Sequence, residues 1–330
     1  MSSILQRLWG WLAIIFVLTT VPLVIKDSYI LSLLIFSLLY AVLAASWDLT
    51  LGYSGVFNFG HMAFFGIGAY SSAISVITFD ISPLLGILIG GSFATASGSI
   101  IGLLTLRLRG IYVALLTFAF AEICHYSAYG LRSLTGGSSG LVGLPTFQFR
   151  GVPYYKFGEV AYYYGAVFLF IVFVFLFSFL LKSKLGLSVI ALRDAESYAI
   201  SRGISRTRQR IIVFLFSAFA AGSIGSFYAH YVRFVAPDLF EMGYLMNALS
   251  MVIVGGAGTL RGPIIAAFLL TFMLEFMQEL GAWRFLVMSG LMILVIIYMP
   301  RGLYSILEYS QTYAQKIVSN IAARKEISWR

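Results

Sequence analysis

A chain of 330 residues that is 60% hydrophobic and only 11% charged lies far from the roughly 25% charged composition of soluble domains, which excludes a soluble fold. Its formal net charge of +9 would suit nucleic acid in a soluble protein, but here the basic residues concentrate in short loops between apolar runs, where they report topology. The lone Cys124 has no partner in the chain, so it forms no intrachain disulfide and reads as a small buried side chain.

A bilayer core about 30 Å thick takes about 20 apolar residues per helix. Ten predicted spans follow in chain order: Leu8 to Ile25, Ile30 to Leu49, His61 to Phe79, Leu84 to Leu106, Ile111 to Tyr129, Val160 to Leu181, Ile211 to Val232, Met242 to Val254, Pro263 to Leu280 and Phe285 to Met299. The first is longer than a signal-peptide core and lacks a small-residue cleavage motif, so it reads as a span. Backbone in lipid must satisfy its hydrogen bonds internally, and period-two alternation is absent. The predicted fold is therefore all-α, a polytopic membrane helical bundle of about ten transmembrane or partly re-entrant helices, forming one domain over 1–330.

Lys and Arg accumulate on the cytoplasmic side of a bilayer. With Arg7 inside, ten crossings leave only Lys26, Arg132, Arg150, Lys156, Arg233 and Arg284 of the 22 basic residues outside, which predicts that both termini are cytoplasmic. Trp9, Trp11, Tyr162 to Tyr164, Trp283 and Tyr298 fall near span ends, where amphipathic rings anchor at the headgroups. Glycines four apart at Gly86/Gly90 and Gly98/Gly102 predict close helix contact.

Glycines interrupt two apolar regions, Leu51 to His61 and Gly255 to Pro263. Such breaks, one in each half of the chain, mark a transport pathway or are plain interhelical turns. On the first reading the path is lined by Asn58, His61 and the backbone around Gly55 and Gly60, with Gly255, Gly256 and Gly258 as a second set.

His61, His125 and His230 lack metal-ligand spacing, so no metal site is expected. Glu122 and His125, three apart, share a helix face and form either a proton relay or a pair with a neighbouring helix. The loop Leu134 to Leu141 is glycine-rich like a phosphate cradle, but no Lys in the chain directly follows a Gly, so a Walker A motif is absent and any ATP must be bound by another chain.

The long basic interruption between spans runs from Lys182 to Arg210. Leu187, Ile190 and Ala191, followed by Asp194 and Tyr198, predict one short amphipathic helix from about Leu187 to Tyr198, stopped by Gly203. Its apolar face needs a protein partner or a lipid surface.

Leu51-Gly-Tyr-Ser-Gly-Val-Phe-Asn-Phe-Gly-His-Met-Ala-Phe-Phe-Gly-Ile-Gly-Ala-Tyr70 resembles the signature of the permeases of branched-chain amino acid ABC importers, of the LivM subunit type. Leu106 to Tyr112, Thr135 to Leu141 and Gly255 to Pro263 are similar to further family elements, and the likeness extends from about Ala41 to Pro300. Leu185 to Ile204 is similar to the family's ATPase-docking segment, with Arg193, Asp194, Glu196, Ala199 and Gly203 at its characteristic positions. Ser201 and Arg202 depart from the expected alanine and leucine.

The resemblance implies a permease in the cytoplasmic (inner) membrane of a prokaryote, without cofactor or bond chemistry of its own. Its implied partners are two ABC ATPase subunits, a second related permease, an extracytoplasmic substrate-binding protein and the lipid bilayer, with no nucleic acid. Related permeases for urea or short amides share these motifs, and an ion-coupled transporter using Glu122 and His125 is the rival from another class.

Overall fold

The computed structural model describes residues 18–149, 152–281, 283–299 and 302–304. Most of the predicted span Leu8 to Ile25, with Trp9 and Trp11, lies outside the described residues; 18–24 is helical. The long helices that follow are α1 (Ser28–Asp48), α2 (His61–Phe79), α3 (Pro83–Thr105) and α4 (Ile111–Gly130). After them come α5 (Glu159–Lys182), the short α6 (Lys184–Asp194) and α7 (Glu196–Ser201), α8 (Arg206–Val232), α9 (Met242–Gly255), α10 (Arg261–Phe276) and α11 (Trp283–Tyr298). The chain is thus an all-α, multi-pass membrane protein, and among the described residues six helices are long and apolar enough to cross a bilayer.

Local chemistry sets the helix starts. Asp27 caps α1 by accepting from the Tyr29 N–H at 2.9 Å. Ser82 precedes Pro83 at the first position of α3, where a missing N–H costs nothing. The last three of these helices are short. α9 has 14 residues, about 21 Å at 1.5 Å per residue, too short to cross the hydrocarbon core alone. α10 and α11 have 16 residues each; α10 ends at Phe276, short of the predicted Leu280, because the chain turns at Gln278–Leu280.

α1 occupies the centre. Ile35, Ala41 to Ala45 and Trp47 are fully buried, as expected of a helix that is apolar on all sides, with α5, α8, α9 and α10 packed around it. α2, α3 and α8 form the tightest layer through the glycines whose spacing predicts it. Gly86 faces Ser72 and His230, Gly90 faces the Gly68 backbone and Ser226, Gly98 faces Ala218, and Gly102 faces Phe214. Ser226 Oγ lies 3.0 Å from the Gly68 carbonyl oxygen, a hydrogen bond between helices that only small side chains permit.

Two predicted anchors are core residues instead. Tyr162 and Tyr163 are buried, Tyr162 against Thr146 and Tyr163 donating to the Leu18 carbonyl at 2.9 Å. Near a span end, a tyrosine whose hydroxyl finds a protein acceptor is satisfied without the headgroup region. Trp283 and Tyr298 are exposed.

Candidate functional site

At the first break α1 does not stop. It widens into a π-helical turn, Leu49–Tyr53, of the kind often found at functional positions, and the chain reverses at Gly55, which has φ 66°. The Val56 N–H reaches back to the Thr50 carbonyl at 2.9 Å. Asn58 Oδ1 accepts from the Gly60 N–H at 2.9 Å, Phe59 N–H donates to Thr117 Oγ1 at 3.0 Å, and His61 opens α2. Asn58 and His61 have no exposed surface. His61 stacks on Trp47 with ring centroids 5.2 Å apart and places Nε2 2.9 Å from Ser46 Oγ. Asn58 Nδ2 is buried without a hydrogen-bond partner among the described residues, an orphan donor of the kind that is rare in packed interiors.

At the second break α9 ends and the chain passes through Gly256 at φ 104° and Gly258 at φ 82°. It reaches Leu260 at φ 56° and ψ −47°. The Arg261 N–H donates to the Thr259 carbonyl at 2.6 Å, so Leu260 is the centre of a γ-turn of the rare positive-φ kind, strained for any residue with a Cβ.

The two breaks close on each other around Asp48. This fully buried carboxylate accepts from the Gly258 N–H at Oδ1, 2.6 Å, and from the Leu260 N–H at Oδ2, 3.0 Å. Gly52 makes the approach possible, since a Cβ there would lie 2.1 Å from the Gly258 nitrogen. Asp48 stands outside the residues predicted for the site, and the sequence carries one signal for it: an acidic residue inside an apolar span is a functional candidate by default.

The segment between α5 and α8 folds as two helices, not the single predicted one. Ala195, at φ −150° and ψ 73°, separates α6 from α7. Asp194 and Ser197 are weak helix-interior formers, and restarting after Ala195 puts Glu196 at a helix N-terminus, where negative charge is favoured. Leu187 is exposed, Ile190 and Ala191 are half-buried, Ala199 is buried, and Gly203 takes the left-handed turn after α7.

The charges of this segment are engaged within the chain. Arg193 donates from Nε to Asp194 Oδ1 at 2.8 Å and from Nη1 to the Gly52 carbonyl at 2.8 Å, while Glu196 pairs with Arg206 at 3.0 Å. A cavity of about 160 Å³ lies beside this contact, bordered by Ser54, Gly55, Arg193, Glu196, Arg206 and Arg210. The structure thus gathers Gly55, Gly258 and Arg193 in one place and sets Asn58, Gly60 and His61 in the packed interior behind them.

Two further sequence candidates lie elsewhere. His125 Nδ1 is 3.8 Å from Glu122 Oε2 on α4, beyond hydrogen-bond range. The glycine-rich loop is closed by antiparallel pairing of Leu141–Val142 with Phe234–Val235. A Cβ on Gly140 would lie 2.2 Å from the Val235 carbonyl, so this loop packs on protein.

Comparison with known proteins adds the family context. Residues 29–297 match the family described as branched-chain amino acid transport system, permease component. The chain is 31% identical over 288 residues to the high-affinity branched-chain amino acid transport system permease protein LivM of Salmonella typhimurium, and equally to that of Escherichia coli. Each alignment covers 81% of this chain and 68% of the relative. No solved structure matches the chain.

Proposed function

The chain belongs to the family of permease components of branched-chain amino acid transport systems, and we propose that it is the membrane-spanning subunit of an ATP-driven importer for branched-chain amino acids. The relatives' names supply the solute. One structural observation carries the mechanism: α6 and α7 lie on the surface of the bundle with Leu187, Tyr198 and Ile200 exposed, while Arg193 of the same segment is hydrogen-bonded to the first helix break. An apolar face turned outward suits the groove of a partner, and the bond to Gly52 gives that partner a mechanical line into the membrane domain.

On this reading 1–330 is a single permease domain with a cytoplasmic coupling loop at 182–210, and both termini face the cytoplasm across the inner membrane of a prokaryote. ATP is hydrolysed by two separate subunits. A second permease completes the channel, and an extracytoplasmic binding protein delivers solute. Gly55, Asn58, Gly60 and His61 are the path's first set of lining residues and Gly255, Gly256 and Gly258 its second; Asn58, Gly60 and His61 are buried here and reach the path when it opens, and the orphan amide of Asn58 supports this. The ATPase-coupling residues are Leu187, Ile190, Ala191, Arg193, Asp194, Glu196, Ala199 and Gly203, of which Ala199 is buried and holds the segment's own packing.

The test is reconstitution in proteoliposomes with the ATPases, sister permease and binding protein encoded beside this chain. Uptake of radiolabelled leucine should require internal ATP and every component. Leucine uptake by this chain without ATPase subunits would overturn the proposal.

A further inference from the structure

We propose that Asp48 is a positioning residue of the transport cycle: its carboxylate clamps the strained turn at Leu260, and the clamp passes displacement of Arg193 to both broken segments. The inference rests on the reading of the chain as the permease of an ATP-driven importer.

A fully buried carboxylate is tolerated only when its oxygens are hydrogen-bonded. At Asp48 each oxygen takes one backbone N–H, from Gly258 and from Leu260. Both donors belong to the loop that holds Leu260 at φ 56°. A leucine stays in such a conformation only where its surroundings over-determine it, and strain of this sort collects at switch regions. Beyond Asp48, the loop is braced by Thr259 Oγ1, which donates to the Gly256 carbonyl at 2.7 Å and accepts from the Gly262 N–H at 3.2 Å.

Arg193 completes the joint from the outside. Its Nη1 donates to the carbonyl of Gly52, one turn beyond Asp48 in the same helical wall. A Cβ built on Gly258 would meet that same Nη1 at 3.1 Å and the Gly52 carbonyl oxygen at 3.5 Å. The coupling segment, the π-turn and the γ-turn therefore touch at one point. The cavity beside Arg193, about 160 Å³, leaves room for α6 to shift. If α6 moves, Gly52 loses its outer donor, the π-turn that follows Asp48 is freed, and Leu260 can relax to an ordinary φ. Two discrete arrangements of one joint are what physical coupling between distant sites requires.

The experiment uses the intact importer in proteoliposomes, measuring solute transported per ATP hydrolysed, with backbone hydrogen exchange on the same complex. In the wild type, ATP binding should raise exchange in 184–196 and in 256–261 together. Asp48→Asn keeps the side-chain volume but turns an amide donor toward a backbone donor. It should leave 256–261 fast-exchanging with or without ATP and lower the transport ratio by about tenfold, the scale of one lost hydrogen bond to a charged group. Structural damage alone would lower transport and hydrolysis together and leave the ratio unchanged.

Leu260→Gly, added to Asp48→Asn, makes the turn easy to adopt without its clamp, so it should restore assembly but not the ratio. A wild-type ratio in either variant overturns the inference. So does unchanged wild-type exchange in 256–261 while 184–196 responds to ATP, and this measurement decides the matter even if both variants fail to assemble. Wild-type uptake that ignores ATP removes the underlying reading, and the clamp's role with it.

Discussion

Gly68 on α2 and Gly222 on α8 face each other so closely that a Cβ on Gly68 would lie 2.1 Å from the Gly222 carbonyl oxygen. The obstacle is backbone in the middle of a long helix, which cannot turn aside as a side chain can. Gly68→Ala should therefore destabilise the protein by about 1–3 kcal/mol, the usual cost of overpacking, seen as a lower unfolding midpoint in detergent. Gly290→Ala is the control, because nothing among the described residues lies within 4 Å of its Cβ position and removing a helical glycine is neutral or stabilising by about 0.5–1 kcal/mol. Equal midpoints for the two variants would show that the α2–α8 contact is looser than described.

Membrane orientation is tested at Ser197, an exposed position on α7. In a Cys124→Ala background, Ser197→Cys should react with a membrane-impermeant maleimide in inverted vesicles and not in intact cells, following the basic-residue asymmetry. Labelling from outside intact cells would reverse the topology and remove α6 and α7 from the side where ATP is hydrolysed.

The docking role separates into contact and shape. Leu187 is 60% exposed, so Leu187→Asp should cost the fold almost nothing yet weaken co-purification of the ATPase subunits by inserting a charge into an apolar contact. Ala191→Pro removes a backbone donor inside α6 and clashes with the preceding turn, at about 3 kcal/mol or more; uptake and substrate-stimulated hydrolysis should disappear together. Glu196→Lys breaks the pair with Arg206 at 3.0 Å, and its defect should depend on salt, since exposed charges are screened within about 8 Å at physiological ionic strength. Full ATPase binding by both the Leu187 and Ala191 variants would make the segment a lipid-resting element.

Ion coupling through Glu122 and His125 makes the opposite prediction. Their 3.8 Å separation is too long for a proton to pass directly. Glu122→Gln should keep at least half of wild-type uptake, and a protonophore should leave ATP-driven uptake in proteoliposomes intact. A variant that assembles, hydrolyses ATP and no longer transports would restore the relay.

Where local physics decides, the sequence was readable. Span α2 runs from His61 to Phe79 as hydropathy places it, since Gly60 before it and Asp80 at φ 50° after it punctuate the chain. The glycines of α3 announce their close contacts through spacing alone. Both breaks are visible because glycine repeatedly interrupts an apolar run, and the segment from Lys182 to Arg210 stands out as a basic interval between spans.

What the sequence could not show is which of these pieces meet. Tyr162 and Tyr163 look like interface anchors until Thr146 and the Leu18 carbonyl are brought to their hydroxyls. The split of the predicted Leu187 to Tyr198 helix at Ala195 goes with Glu196 finding Arg206, a contact made only when α8 starts beside α7. Asp48 reads as a single acid in a hydrophobic run, and its partners, Gly258 and Leu260, lie 210 and 212 positions away. They offer backbone N–H groups, which every residue except proline carries and which leave no trace in side-chain pattern. Composition and periodicity determine that the chain enters the membrane as helices and where those helices are interrupted. Only the packing of α1 against the loop before α10 decides that both interruptions share one buried carboxylate, because that contact is specified by backbone geometry in three dimensions and by no local run of residues.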